Sequence, residues 1–343
     1  MASKPLILVT GATGYVGAHV VEQALEVGYP VRVTSRPGKI NSFKEQFGEG
    51  VEVVEIIDIA TGDLANALQG VEIVIHVAAP HVGETDVTKV ISGTVDGTLN
   101  IARQAAKANV KRIVFTSSWS ACVDMGNPAA CFSNYVFTEK DWNPATAEQL
   151  LSGKHNKNPV WLHGAAKSLA EQEIWKFADK HPEVDVTTIN PPFIYGPLAR
   201  STKINKEVLR THPSLGRFYS LLLAGSSLLE LPPSLAIPIA VDVRDVARAH
   251  ILALTAPPTT EVGRKRILIG GRNFRMCDVS EHVAATRPEL KYRLGNPRVE
   301  RVTPIATIDT SRAKEILGYN EPLPWKKTVN DMINSILEVE KSW

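Results

Sequence analysis

The chain lacks several features that would fix its class at once. Its longest apolar stretches are strand length. None approaches the roughly 18 residues of a membrane span, so no membrane partner is expected. Cysteine is sparse: Cys122, Cys131 and Cys277 stand in no metal-type spacing. An odd, scattered set reads as reduced thiols in a cytosolic protein, each a small buried hydrophobe. Charge of one sign is also missing. The 38 Lys and Arg against 36 Asp and Glu leave a net charge of +2 with no basic stripe, which argues against a nucleic-acid partner. No His, Cys, Asp and Glu set has metal-ligand spacing, and there is no Gly-x-Ser-x-Gly elbow. Met1-Ala2-Ser3-Lys4-Pro5 runs straight into an apolar strand. That leaves no room for a signal peptide, and the expected location is the cytoplasm.

What is present is concentrated near the start. Leu6-Ile7-Leu8-Val9-Thr10 is an apolar run, followed by Gly11-Ala12-Thr13-Gly14-Tyr15-Val16-Gly17. Val16, Val20, Val21, Ala24 and Leu25 then fall on one helical face, and Gly28 sits where a helix would end. Glycines at the first, fourth and seventh places of a strand-to-helix turn suit a pyrophosphate. They let the backbone approach the ligand, and the helix N-terminus offers free N–H groups and the positive end of its dipole. The expectation is a dinucleotide held by Gly11, Thr13, Gly14, Tyr15, Val16 and Gly17.

At 343 residues the chain can bury a substantial core. Strand-like runs at 31–35, 51–57, 72–78 and 112–116 alternate with helical patterns, including one over 87–106. This rhythm predicts βαβ units and a parallel sheet covered on both faces. A helix over 164–180 and a strand over 184–190 continue it. The expected fold is α/β: a doubly wound parallel sheet of the Rossmann type with a smaller C-terminal substrate-binding lobe. Residues 1–197 form the dinucleotide-binding domain and 239–256 return to it as strand then helix. Residues 198–238 and 257–343 form the lobe, with a mobile Gly225-Ser226-Ser227 stretch and a final helix over 329–339. No internal repeat is present.

The end of the second strand narrows the cofactor. An NAD site usually has an acidic residue about 20 positions past the glycines. Here the chain reads Thr34-Ser35-Arg36-Pro37-Gly38-Lys39: no carboxylate, and a cation suited to a 2′-phosphate. The expectation is NADP(H), with Arg36 as the main contact and Arg32 or Lys39 assisting. Asp58 is placed either to meet the adenine edge or to cap the N-terminus of a helix.

Further segments resemble a known family. His76-Val77-Ala78-Ala79-Pro80, Gly97-Thr98-Leu99-Asn100, Thr116-Ser117-Ser118, Thr138-Glu139-Lys140-Asp141-Trp142-Asn143, Asn190-Pro191-Pro192 with Gly196-Pro197, and Val241-Asp242-Val243-Arg244-Asp245-Val246 follow the glycine turn in order. With Asp309-Thr310-Ser311 and 314–318, they resemble the extended short-chain dehydrogenase/reductases end to end. The branch is that of dihydroflavonol reductases, cinnamoyl-CoA reductases and fungal carbonyl (aldehyde) reductases. The resemblance implies an oxidoreductase in which a Ser binds the carbonyl oxygen, a Tyr protonates it, and a Lys lowers the Tyr pKa and holds the nicotinamide ribose. Ser118 and Lys167 match. The position four before Lys167 holds His163, so the catalytic tyrosine is absent. The resemblance further implies cofactor contacts at Ile59, Ala78, Ala79, Lys167, Pro191 and Phe193. Substrate contacts are implied at Pro80, His81, Ser118, Tyr135, Pro192, Phe193 and Phe218.

Three readings of His163 stay open. It can act as the acid, although Lys167 beside it lowers its pKa and an imidazole falls roughly 2 Å short of a phenol's reach. The scaffold can instead run a non-redox reaction such as isomerisation, elimination or ring closure. Or the chain is a redox-inactive nucleotide-binding protein. Tyr135 and Tyr195 are the other phenols near the expected cleft. The leucine-rich lobe with Phe218 and Tyr219 suggests an aromatic or apolar carbonyl substrate. Arg200, Lys203, Lys206, Arg210 and Arg217 read either as solvated cations or as a contact for a carboxylate or CoA phosphate. The expected function is therefore NADPH-dependent carbonyl reduction at a Ser-His-Lys site, by a monomer or homodimer.

Overall fold

Strand side chains alternate between two apolar clusters, one on each face of a central sheet. Ile7, Val9, Ile75, Val114 and Ile189 join one cluster, while Leu8, Val74, Ile113, Phe115 and Val186 join the other. Burial on both faces with period two is what a parallel sheet covered by helices requires. The computed structural model describes residues 4–38, 40–80, 83–153, 158–223, 237–271, 273–294 and 304–343.

In chain order the strands are β1 (Ile7–Thr10), β2 (Val31–Ser35), β3 (Val51–Glu55), β4 (Ile73–His76), β5 (Arg112–Thr116), β6 (Val136–Phe137), β7 (Asp185–Asn190), β8 (Phe193–Tyr195), β9 (Ala240–Asp242), β10 (Lys265–Leu268) and β11 (Thr307–Ile308). Seven of them form the main sheet in the order β10-β7-β5-β4-β1-β2-β3, all parallel. The order runs outward in both directions from β1 and β4, which puts a topological switch point between their carboxyl ends. Ligands bind in the crevice outside such a point. Two small parallel pairs, β6 with β11 and β8 with β9, lie beyond the main sheet.

The helix expected over 87–106 is continuous in outline but built of Val87–Ile91, a π-helical turn over Ser92–Asp96, and Gly97–Lys107. The helix expected over 164–180 starts earlier, at Pro159. Asn158 caps it by accepting from the Trp161 N–H, and proline at the first turn costs no hydrogen bond.

One expectation needs correction. Residues 257–343 do not all belong to the lobe, because β10 is the edge strand of the main sheet, paired with β7. Its Lys265 and Arg266 disguised it, since charged residues do not read as a buried strand. Each charge is satisfied internally: Lys265 donates to Asp185 and the Pro257 carbonyl, and Arg266 pairs with Glu171. Ala313, Ile316 and Leu317, from the helix Ser311–Leu317, also pack into the sheet cluster. The lobe itself is a separate cluster of Leu209, Leu215, Phe218, Leu222, Val279, Val283, Met332 and Ile333. Gly225-Ser226-Ser227 lies outside the described residues. Among the described residues, no helix is long and apolar enough to cross a membrane.

Candidate functional site

The glycine turn is shaped by close contacts. Gly11 has φ +73°, and a Cβ there would meet the Ala78 backbone N at 2.7 Å; one on Gly17 would come within 2.1 Å of the Gly11 carbonyl oxygen. These two glycines let β1, the loop after β4 and the helix Tyr15–Glu26 converge. Gly14 differs. A Cβ there would meet only the Gly11 oxygen, at 3.1 Å, so space lies open in front of it. The helix begins at the next residue with no side-chain cap and no acidic residue in its first turn. Its unneutralised N-terminus and the open space suit a pyrophosphate.

Around this turn the side chains sort themselves. Thr13 is exposed. Val16 packs towards the sheet cluster. Tyr15 donates a 2.6 Å hydrogen bond to the Gly196 carbonyl, tying the turn to the loop after β8. Ala78 donates its N–H to the Thr10 hydroxyl, which also bonds His76 Nδ1 at 2.7 Å. Ala79 is exposed and Pro80 half-buried, packed where a Cβ on Gly93 would collide with its ring. Arg36 is exposed at the end of β2, in a turn fixed by the Gly38 N–H donating to Glu55. Arg32 is committed elsewhere, to Glu52 and the carbonyls of Ala67 and Gln69. Asp58 accepts from the Ala60 N–H within a turn, and caps no helix, the next one starting at Ala65. Ile59 packs against the second sheet cluster. Lys39 and His81 lie outside the described residues.

Ser118 and Lys167 approach the carboxyl edge from different elements. Ser118 follows β5 and caps a short 3-10 turn, Trp119–Ala121. Its Oγ accepts from the Ser120 N–H at 3.1 Å and the Ser120 hydroxyl at 2.8 Å. With two acceptor positions filled, its own proton is free to be donated. Lys167 lies on the helix Pro159–Lys180 and donates to the Thr116 carbonyl at 2.8 Å, at the end of β5. Gly164 lets that helix close in: a Cβ there would stand 3.3 Å from the Ser120 carbonyl oxygen. Asn143 clamps the same point, donating to Ser120 O at 2.9 Å.

His163, Lys167 and Glu171 are spaced four apart and share one helical face. Half-buried His163 is held neutral: burial first, and the Lys167 charge second, push its pKa down to about 3. Burial lowers Lys167 to about 8, with Glu171 opposing the fall. Glu171 is fully buried and saturated, accepting from Ser117, Thr188, Asn190 and Arg266. Asn190 in turn donates to the Ser118 carbonyl. Arg266 also holds the carbonyls of Glu139 and Asp141, and its guanidinium lies 3.6 Å from the centre of the Trp142 ring. Glu171 and Arg266 were missed in the sequence. The recoverable signal was Glu171 standing one helical turn past Lys167.

The remaining expected residues separate into two groups. The Pro191 carbonyl accepts from the Trp119 N–H at 2.9 Å, which brings the loop after β7 beside Ser118. Pro192 is buried, and half-buried Phe193 packs between the lobe and the Trp119 cluster. By contrast, Phe218 is fully buried within the lobe's core and presents no surface to a cleft in this structure. Tyr195 is buried beside it and Phe274. Tyr135 is exposed, its hydroxyl donating to Asp141 at 2.5 Å. The three cysteines are free and buried, and burial lifts Cys122 and Cys131 to about 12. Among the described residues, no group of three or more His, Cys, Asp and Glu could hold a metal ion.

Comparison with known proteins agrees with this architecture. Residues 7–270 match the model of the NAD dependent epimerase/dehydratase family. An uncharacterised oxidoreductase of Schizosaccharomyces pombe is 34% identical, covering 92% of this chain and 93% of its own. The NADPH-dependent methylglyoxal reductase of Saccharomyces cerevisiae is 29% identical, covering 97% and 98%. The crystal structure of yeast methylglyoxal/isovaleraldehyde reductase Gre2 with NADPH superposes with a TM-score of 0.80 at 26% identity, covering 98% of this chain and all of that one. Gre2 from Candida albicans gives 0.81 at 26% identity, covering 98% and 99%. The chain belongs to the NAD dependent epimerase/dehydratase family, in its extended short-chain dehydrogenase/reductase form, and is similar to the fungal Gre2 carbonyl reductases.

Proposed function

We propose that the chain is an NADPH-dependent reductase of small aldehydes or ketones working through Ser118, His163 and Lys167. The observation that carries this reading is Lys167: a buried lysine tuned to about 8, anchored on Thr116 at the end of β5, one turn past His163. A nucleotide-binding module without turnover needs no such tuned cation.

A reduced nicotinamide bound at the carboxyl edge supplies the hydride. The protein's part is to hold the carbonyl oxygen and protonate it. Ser118, its oxygen already accepting twice, donates its hydroxyl to the carbonyl. Neutral His163 donates a ring N–H to the same oxygen as negative charge develops. The proton is stored on Lys167, because at neutral pH the ammonium is charged and the imidazole is not. As the alkoxide forms, His163 gives it the ring proton and recovers one from Lys167, so neither imidazolium nor imidazolate accumulates. Lys167 is recharged from water.

The same electrostatics disfavour an isomerase or lyase. A ring pushed down to about 3 is too weak a base to take a proton from carbon near neutral pH. The 2′-phosphate is assigned to Arg36, the pyrophosphate to the turn at Gly14, and the ribose to Lys167. The test is to follow nicotinamide absorbance and product together on a panel of aryl aldehydes and ketones. One NADP⁺ per alcohol is expected, lost in Lys167→Ala. Product formed without any net change in absorbance would overturn the reading.

A further inference from the structure

Five cations on the lobe were left by the sequence either as solvated groups or as contacts for an anion. The structure separates them. Arg200 pairs with Glu22 and Glu26 at the surface. Lys203, Lys206 and Arg210 are exposed, Lys206 lying over the Trp343 ring. Arg217 is different. It is half-buried on the short helix Leu215–Phe218, and its guanidinium carbon lies 5.1 Å from the centre of the Phe193 ring. Its Nε is buried without a hydrogen-bond partner. Among the described residues no carboxylate pairs with it, whereas the partly buried Arg32, Arg112, Arg244 and Arg293 each reach one.

A guanidinium taken partly out of water without a counter-charge is costly unless something else supplies the charge. A cation over an aromatic face recovers part of that cost and fixes the planar group in place, but leaves its donors unused. The location says what could use them. Phe193 stands two residues past Pro191, whose carbonyl is bonded to the residue following Ser118. Phe193 therefore joins Arg217 to the loop that carries Pro191 beside Ser118.

Resting on the reductase reading above, we propose that Arg217 anchors a carboxylate on the substrate. The chain would then take oxo acids, carbonyl compounds carrying a carboxylate across an aromatic or apolar spacer, in preference to their neutral counterparts. The guanidinium fork holds the carboxylate and Phe193 flanks the spacer, while the carbonyl end meets Ser118.

The experiment is equilibrium binding to the full chain loaded with NADP⁺, which cannot reduce anything and so keeps binding apart from hydride transfer. The probes are 4-formylbenzoate and methyl 4-formylbenzoate, titrated by calorimetry. The carboxylate is expected to bind about 30-fold more tightly than the ester, the worth of a hydrogen bond to a charged group. Arg217→Gln should erase that preference while NADP⁺ affinity holds, and Arg217→Lys should restore part of it. The proposal is overturned if wild type binds both alike or binds neither, or if Arg217→Gln keeps the preference. It is also overturned if the variant loses NADP⁺ instead, because Arg217 would then serve a cofactor phosphate. Preferential binding of the carboxylate without any NADPH oxidation would sink the reductase reading alone.

Discussion

Lys167 stands one helical turn beyond His163, and its ammonium joins burial in keeping that imidazole neutral. The pair divides labour that one phenol could perform alone. In the proposed reaction the lysine stores the proton, and the histidine aims a donor at the substrate oxygen.

That division has a pH signature. His163 titrates near 3 and Lys167 near 8. The acid in the reductive direction is therefore charged at any pH below about 8 and lost above it. The expected profile of kcat/KM for carbonyl reduction is flat from pH 5 to 7, then falls about tenfold per unit above 8. If an imidazolium were the acid, the rate would climb as pH drops towards 6. Such a climb would remove Lys167 from the role given to it.

Restoring a phenol is the complementary test. A tyrosine at position 163 reaches roughly 2 Å further than an imidazole, and about 1 Å of misplacement can cost a factor of 100. Lys167 is already in place to depress its pKa. In His163→Tyr, kcat at pH 7 should rise at least tenfold on the same substrates, measured by NADPH oxidation. An unchanged or lower kcat would mean that the shape of the cleft, and not the side chain at 163, limits reduction.

Glu171 and Arg266 make a second pair, with side chains 0% and 5% exposed and a 2.8 Å contact. Removing one partner strands a charge in the interior, which typically costs about 3–5 kcal/mol. Glu171→Gln and Arg266→Met should each lower stability by about that much in urea unfolding. Glu171→Gln with Arg266→Met should lose less than the sum, because no unmatched charge remains. Strict additivity would show that the two side chains are not coupled.

The fold was legible because burial on both faces writes itself as runs such as Ile7-Leu8-Val9, and the glycine turn because steric exclusion at Gly11 and Gly17 leaves no other residue. Ser118, His163 and Lys167 stand out in the sequence by motif and helical spacing, and they are the residues proposed to carry the reaction. The edge strand at Lys265–Leu268 was not, because its charges are matched by Asp185 and Glu171, residues far off in sequence. Phe218 was misjudged for a related reason. An apolar residue in a loose segment can line a cleft or fill a core, and only the packing of Leu209, Val279 and Met332 around the lobe decides for the core. Arg217 was one of five indistinguishable cations until its position over Phe193 was known.

In the proposed function, Arg36 carries the choice between NADPH and NADH. It is exposed at the end of β2, where the Gly38 N–H bonded to Glu55 fixes the turn that presents it. Arg32 is spent on Glu52 and two carbonyls, which leaves Arg36 as the proposed main contact for the 2′-phosphate. An exposed cation meeting a phosphate is screened by salt, so NADPH affinity should weaken as ionic strength rises while NADH affinity stays level. Arg36→Ala should raise the Kd for NADPH about 10- to 100-fold and leave NADH within about twofold. Arg36→Glu should go further and invert the preference, because its carboxylate repels the phosphate and can accept from the ribose hydroxyls of NADH. Fluorescence titration of each variant with both cofactors gives the ratio directly. A ratio unmoved by Arg36→Ala would take the 2′-phosphate away from this residue.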